Sequence, residues 1–196
     1  RTYRVHLDAG DAVYLSLSVY EGPDDGQPAE GMSGSLHLGE MQANQDGSYD
    51  IVLCAQEHPG NWIQLSANSN AVITRDYLAH PGRDRRAIWT IEADPPPAPV
   101  RQSDADMARR FRAAITWLKS QGDITPIAPL GDPNSMMEPL PMGAITYGWG
   151  AGDASYGMGN YELEEDEALI IEGTSPNSAF WNLCIWNEFL HTNNYD

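Results

Sequence analysis

The stretch 61–78, NWIQLSANSNAVITRDYL, carries four side chains that could hold a small anion: Asn61, Trp62, Arg75 and Tyr77. A guanidinium offers two parallel N–H donors to a carboxylate, sulfate or phosphate, and an amide and a phenol can complete such a seat. The stretch reads as two strands around a turn at Asn68. Folding NWIQL on AVITRDYL sets Leu65 opposite Ala71, Ile63 opposite Ile73 and Asn61 opposite Arg75, with Tyr77 one pleat further on the same face. Trp62 then points the other way, and a slip of one residue would bring it beside Arg75. A structural reading stands beside the functional one. An arginine on a partly apolar face needs a partner, and an internal pair with a carboxylate would satisfy it.

Other constellations are weaker. GMSGS and GDASYG both miss the G-x-S-x-G spacing of a nucleophile elbow. His6 and His37 lie on the polar phase of their strands, and His58 and His80 precede proline. With no H-x-H or H-E-x-x-H spacing, surface histidines are expected rather than a metal centre. ELEEDEA concentrates Glu162, Glu164, Glu165, Asp166 and Glu167 without the Asp/Asn-and-Gly alternation of a calcium loop, so it reads as a solvated turn. GWGAGDASYGMG has no helix behind it to serve a phosphate. No metal and no cofactor are expected.

The charge balance narrows the partners. Eleven Lys+Arg against 28 Asp+Glu give a formal charge of −17, which opposes binding to nucleic acid and to anionic membranes. No apolar run approaches the length of a membrane span, no signal peptide opens the chain, and a cytoplasmic location is expected. Cys54 and Cys184 sit inside apolar runs and read as free, buried thiols.

The elements that must position these groups are mostly strands. TYRVHL alternates with period two, and AVYLSLSVY follows a Gly10-Asp11 turn, so the pair reads as a hairpin. Residues 21–34 read as a loop, a short strand surrounds Leu36 and Leu38, and YDIVLCA is apolar on both faces and therefore central. DPPPAPV ends this first set of strands. One helix is expected over about 103–121, capped by Ser103 with Asp106, closed by Gly122, and carrying Met107, Phe111, Ala114, Ile115 and Leu118 on one stripe. Arg109, Arg110 and Arg112 mostly take the other faces. Residues 123–142 are Pro-rich and irregular. The last third returns to apparent strands in GAITYGWG, YGMGNYEL, EALIIEG and SAFWNLCIWNEFL, with Trp181 and Trp186 packed as core. The expectation is a single domain over 1–196: a first strand set in 1–94, a Pro-rich connection with the helix in 95–142, and a second strand set in 143–196. Its class is all-β, a jelly-roll-like sandwich with one packed helix.

Taken in order, TYRVHL…AVYLSLSVYEG, DGSYDIVL, NWIQL, Arg75-Asp76-Tyr77 and YELEEDEALIIEGTSPNSAFWNLCIWNEF resemble the bacterial domain of unknown function 1214 family. The resemblance covers nearly the whole chain except the Pro-rich passage. It implies a jelly-roll-like β domain, places Asn61, Trp62, Arg75 and Tyr77 in the family's NW…R-x-Y signature, and implies further strand-rich sequence in other members. It implies no activity. Three functions therefore stand: a small-molecule, anion-binding domain built on Arg75, Asn61 and Tyr77; a hydrolase or lyase using the same pocket; and an assembly subunit. The last would be a homo-oligomer, or would contact flanking segments through the Pro-rich passage and sheet edges. A closed pocket beside Arg75 would favour the first. A large apolar surface without such a pocket would favour the third.

Overall fold

Val5 and Leu7 are buried while Arg4, His6 and Asp8 between and beside them are exposed, so the alternation read from the sequence makes β1 (Thr2–Asp8) a half-buried strand. A computed structural model of the chain describes residues 1–125, 130–141 and 150–192. Six further strands complete two sheets: β2 (Tyr14–Glu21), β3 (Gly31–His37), β4 (Tyr49–Cys54), β5 (Asn61–Gln64), β6 (Ser69–Tyr77) and β7 (Ile88–Asp94). One sheet has the order β5-β4-β1-β7 and the other β3-β2-β6. Val5, Leu7, Ile51, Leu53 and Ile63 from the first face Leu15, Leu17 and Val19 from the second, and Met41 closes the cluster. The protein is thus mainly β with one helix, as its pattern predicts.

Pairing differs from the expectation in two places. β1 and β2 do not form a hairpin. β1 is flanked by β4, through pairs such as Val5 with Ile51, and by β7, through pairs such as Val5 with Ile91, so neither of its edges is open to β2. The chain instead arches from one sheet to the other at Gly10, whose positive φ and close approach to the Arg85 and Arg86 carbonyls leave no room for a Cβ. The arch turns the apolar faces of β1 and β2 toward each other, where a hairpin would leave them side by side on one sheet. Likewise β5 does not fold on β6. It runs parallel to β4, with Asn61 beside Ile51 and Ile63 beside Leu53, while β6 runs antiparallel to β2 in the other sheet. The central place expected for YDIVLC holds, since β4 lies between β1 and β5 and is buried from Ile51 to Cys54. β3 starts at Gly31, inside the stretch read as a loop.

Helix α1 (Asp104–Ile124) has the predicted cap. The Ser103 hydroxyl accepts from the Asp106 N–H at 3.1 Å and the Asp106 carboxylate accepts from the Ser103 N–H at 3.2 Å, a reciprocal capping box. The Ser103 hydroxyl, donating to the Asp106 carboxylate at 2.6 Å, and then the Ser103 N–H hold the Asp106 carboxyl below its ordinary range. Gly122 does not end the helix, which runs on to Thr125 as its C-cap. Its orientation is the surprise. The least exposed face carries Ala113, Thr116 and Ser120, set against the loop around Gly26, where a Cβ would overlap the Ala113 carbonyl. The Arg109 guanidinium donates to the Asp24 carboxylate at 2.7 Å on the same side. Met107, Phe111, Ile115 and Leu118, read as the stripe that would pack, are turned out to solvent.

GAITYGWG falls outside the described residues except for Gly150. Among the described residues the second strand set shrinks to two-residue strands on either side of it: β8 (Ser135–Met136) with β11 (Gly159–Asn160), and β9 (Leu140–Pro141) with β10 (Ser155–Tyr156). Residues 161–179 and 181–191 are exposed, including Trp181, Trp186 and Cys184, so the core roles expected for both tryptophans and the burial expected for Cys184 are corrected. A strand needs a ladder partner and a covered face. β1, β2 and β4 already have neighbours on both sides, and among the described residues no sheet face receives this apolar run. Both cysteines are free, as expected.

Candidate functional site

Asn61 and Arg75 do not meet at one end of a shared face. Asn61 shares the phase of the inward-facing Ile63, in the four-stranded sheet, and is itself buried. Its amide is spoken for: the carbonyl oxygen accepts from the Gln42 N–H at 2.7 Å, and the NH2 donates to the Gln42 carbonyl at 2.9 Å and the Asp50 carbonyl at 3.0 Å. It ties the loop before β4, at Gln42, to β4 itself, at Asp50. Trp62 donates its indole N–H to the Cys54 carbonyl at 3.2 Å. Both are engaged by the backbone of their own sheet and the loop beside it.

Arg75 and Tyr77 do share a surface, the outer face of the three-stranded sheet. β2 contributes Tyr14, Ser16, Ser18 and Tyr20 to that face, because Tyr14 pairs with Tyr77 and Ser16 pairs with Arg75 across β6. β3 contributes His37 opposite Ser16 and Ser35 opposite Ser18. The Arg75 guanidinium donates to the Ser18 hydroxyl at 3.4 Å and to the Tyr20 hydroxyl at 3.0 Å, and the Tyr20 hydroxyl donates in turn to the Gly150 carbonyl at 2.7 Å. Tyr14 donates to the Asp153 carboxylate at 2.6 Å, its ring lies 5.7 Å from Tyr77, and Tyr77 stacks on Phe180 at 4.7 Å. Burial first, then the bond to Asp153, pushes the Tyr14 phenol well above its usual range. Burial also raises Tyr77. The seam is thus covered by Ala151, Asp153 and Phe180, from the part of the chain that follows the helix.

Catalytic chemistry finds little footing in this seam. The hydroxyl of Ser16 and Nδ1 of His37 sit on directly opposed residues, yet neither has a hydrogen-bond partner. They are therefore not engaged with each other as a nucleophile and its base would be. His37 Nε2 lies 3.4 Å from the Glu40 carboxylate. Among the described residues no cluster of His, Cys, Asp or Glu is placed to hold a metal ion. Two clefts, of about 440 and 400 Å3, lie away from Arg75, one lined by Glu21, Glu30 and Asn68 and the other by Arg4, Cys54 and Asp94.

The second candidate is a surface. Phe111 is 64% exposed and Leu118 66%, with Met107 and Ile115 beside them on the helix, and Ile170 is 80% exposed in the segment after it. Trp181, Leu183, Ile185, Trp186 and Phe189, further along the same segment, are exposed as well. The chain's accessible surface is 14006 Å2. A compact monomer of 21.6 kDa would present roughly 9,200 Å2. Sequence reasoning found the helix stripe but aimed it inward. The signal that it faces out is Gly26, eighty-odd residues upstream, which admits the small-residue face of the helix instead.

Comparison with known proteins agrees with the sandwich. A family model described as protein of unknown function (DUF1214) matches residues 1–81. The matched DUF1214 segment contains β1 to β6, with Asn61, Trp62, Arg75 and Tyr77 in it. A crystal structure of an uncharacterised protein from Burkholderia cenocepacia shares the fold with a TM-score of 0.61 and 24% identity over 76% of this chain. The chain spans 42% of that protein's length. No curated protein matches. Among the described residues no helix is long and apolar enough to cross a membrane.

Proposed function

We propose that this chain is an assembly domain: a DUF1214 sandwich whose helix presents an apolar, basic surface to an apolar, acidic polypeptide. The observation that carries the reading is the roughly 4,800 Å2 of surface beyond what a compact monomer of this mass presents. A standard interface removes roughly 800 Å2 per partner, so the excess exceeds what one docking event needs. Large contiguous apolar patches mark interaction sites. The helix supplies the specificity, since Arg110, Arg112 and Lys119 flank the stripe of Met107, Phe111, Ile115 and Leu118.

The test separates a docking surface from a misplaced core. In Phe111→Glu and Leu118→Glu proteins, compared with wild type at a dilution where all are single chains, the melting temperature should stay within about 2 °C of wild type, because surface changes are worth about 0.5 kcal/mol or less. Binding of an apolar dye should fall in parallel. A melting temperature lower by about 5 °C or more would mean that the stripe packs inside its own chain, and the reading would be lost.

A second reading is favoured by one observation. Ser16 is fully buried, its hydroxyl has no partner, and it lies across from Arg75 on a face with Tyr14 and Tyr77. A small carboxylate or sulfate seated there would satisfy that hydroxyl. A thermal-shift screen against such anions, repeated on Arg75→Ala, tests it. Stabilisation of wild type alone supports a site, and no shift in wild type removes it.

A further inference from the structure

We infer that the polypeptide that docks on helix α1 is the acidic arm of a second copy of this chain, in a reciprocal exchange that makes a two-fold dimer. The inference rests on the assembly reading above and names its partner. The observation is the division of charge along the chain. Between Met107 and Lys119 the helix carries Arg109, Arg110, Arg112 and Lys119 and no acidic residue. After Lys119 there is no Lys or Arg at all. The exposed segment 161–172 carries Glu162, Glu164, Glu165, Asp166, Glu167 and Glu172, interleaved with Leu163, Leu169, Ile170 and Ile171, all solvent-facing. One surface is apolar with a basic rim, and the other is apolar with an acidic rim.

Both exist on every copy, so two copies satisfy each other twice. That self-complementary arrangement is what a two-fold interface requires. The net charge of −17 does not oppose it at contact range, because screening at ordinary salt confines the interaction to neighbours within about 10 Å. Arg109 is held by Asp24 and seats the helix on its own chain, while Arg110, which donates to the neutral Gln102 side chain at 2.8 Å and so keeps an uncompensated charge, faces the arm with Arg112 and Lys119.

A charge-exchange experiment on the full chain tests this. One variant carries Arg110→Glu, Arg112→Glu and Lys119→Glu; the other carries Glu164→Lys, Glu165→Lys and Glu167→Lys. Light scattering should give twice the 21.6 kDa chain mass for wild type and the single-chain mass for each variant alone. An equimolar mixture of the two variants should recover the doubled mass, because each reversed surface then meets a reversed partner. A wild-type dimer that neither variant disturbs would overturn the inference, since the dimer would use another face. A monomeric wild type overturns it too. In that case an unchanged melting temperature for Phe111→Glu leaves the assembly reading standing with a foreign partner, whereas a lowered one shows the stripe folding onto its own chain and removes both.

Discussion

The two halves of this molecule treat the same residue types in opposite ways. In β1, β2 and β4 every large aliphatic side chain is enclosed: Leu7, Leu15, Leu17 and Ile51 have no accessible surface. In residues 104–190, Phe111, Leu118, Ile170 and Trp181 are mostly bare. Both halves are patterned, the first with period two and the second with a helical stripe and two apolar runs. The difference lies in what faces the pattern. Each inner strand of the sandwich finds ladder partners on both edges and an opposing sheet across the core, while the helix meets the body on its small-residue side and the arm touches it at few points. Patterning therefore marks a surface to be buried, and leaves open whether the burial is internal or belongs to an assembly.

The sharpest way to break the comparison is to make the same truncation in each half. Leu17→Ala should destabilise by about 2–5 kcal/mol, a drop in melting temperature of roughly 5–15 °C, since it opens a cavity between the sheets. Asn61→Ala should cost about 1–3 kcal/mol by leaving the Gln42 N–H and two carbonyls unsatisfied, read as a lower urea midpoint. Ser103→Ala should cost about 1 kcal/mol of helix stability, seen as faster amide exchange in 104–108 with the strands unchanged. A pH scan probes the boundary between the halves. The Tyr14 phenol is raised in the folded state, so the stability from its bond to Asp153 is present below its ordinary value of 10.0 and lost as the pH climbs past it. Melts between pH 9 and 11 should show that loss in wild type and less of it in Tyr14→Phe. Smallest of all, Leu118→Ala should shift the stability of the dilute single chain by about 0.5 kcal/mol or less. A loss comparable to Leu17→Ala would erase the contrast.

Much of the first half was legible in the sequence because alternation is local. Val5 and Leu7, or Ile51 and Leu53, announce which side chains go inward without reference to anything distant. Which strand lies beside which is not local. The hairpins drawn for β1 with β2 and for β5 with β6 fail because β4 and β7 reach β1 first in space, and because β5 finds β4. With that error went the idea that Asn61 and Arg75 share a face. The pairing of Arg75 with Tyr77 survived, since residues two apart on one strand stay together whatever the register. The cap of α1 was readable from Ser103 and Asp106. Its rotation was not, because Gly26 and Asp24 decide it from another part of the chain. The seven-residue run Ile88–Asp94, which forms β7, was not singled out as a strand, although IWTIEAD carries β-branched and aromatic residues.

The place of β1 in its sheet has a consequence for how the protein is made. β1 leaves the ribosome well before the strand that closes its far edge, β7, which begins 80 positions after β1 ends. At about 5–20 residues per second of synthesis, β1 waits roughly 4–16 s with that edge unpaired. Nascent chains in that interval carry an apolar strand able to pair with a neighbour on the same message, so the yield of folded protein should depend on chaperone capacity and on translation speed through residues 9–94.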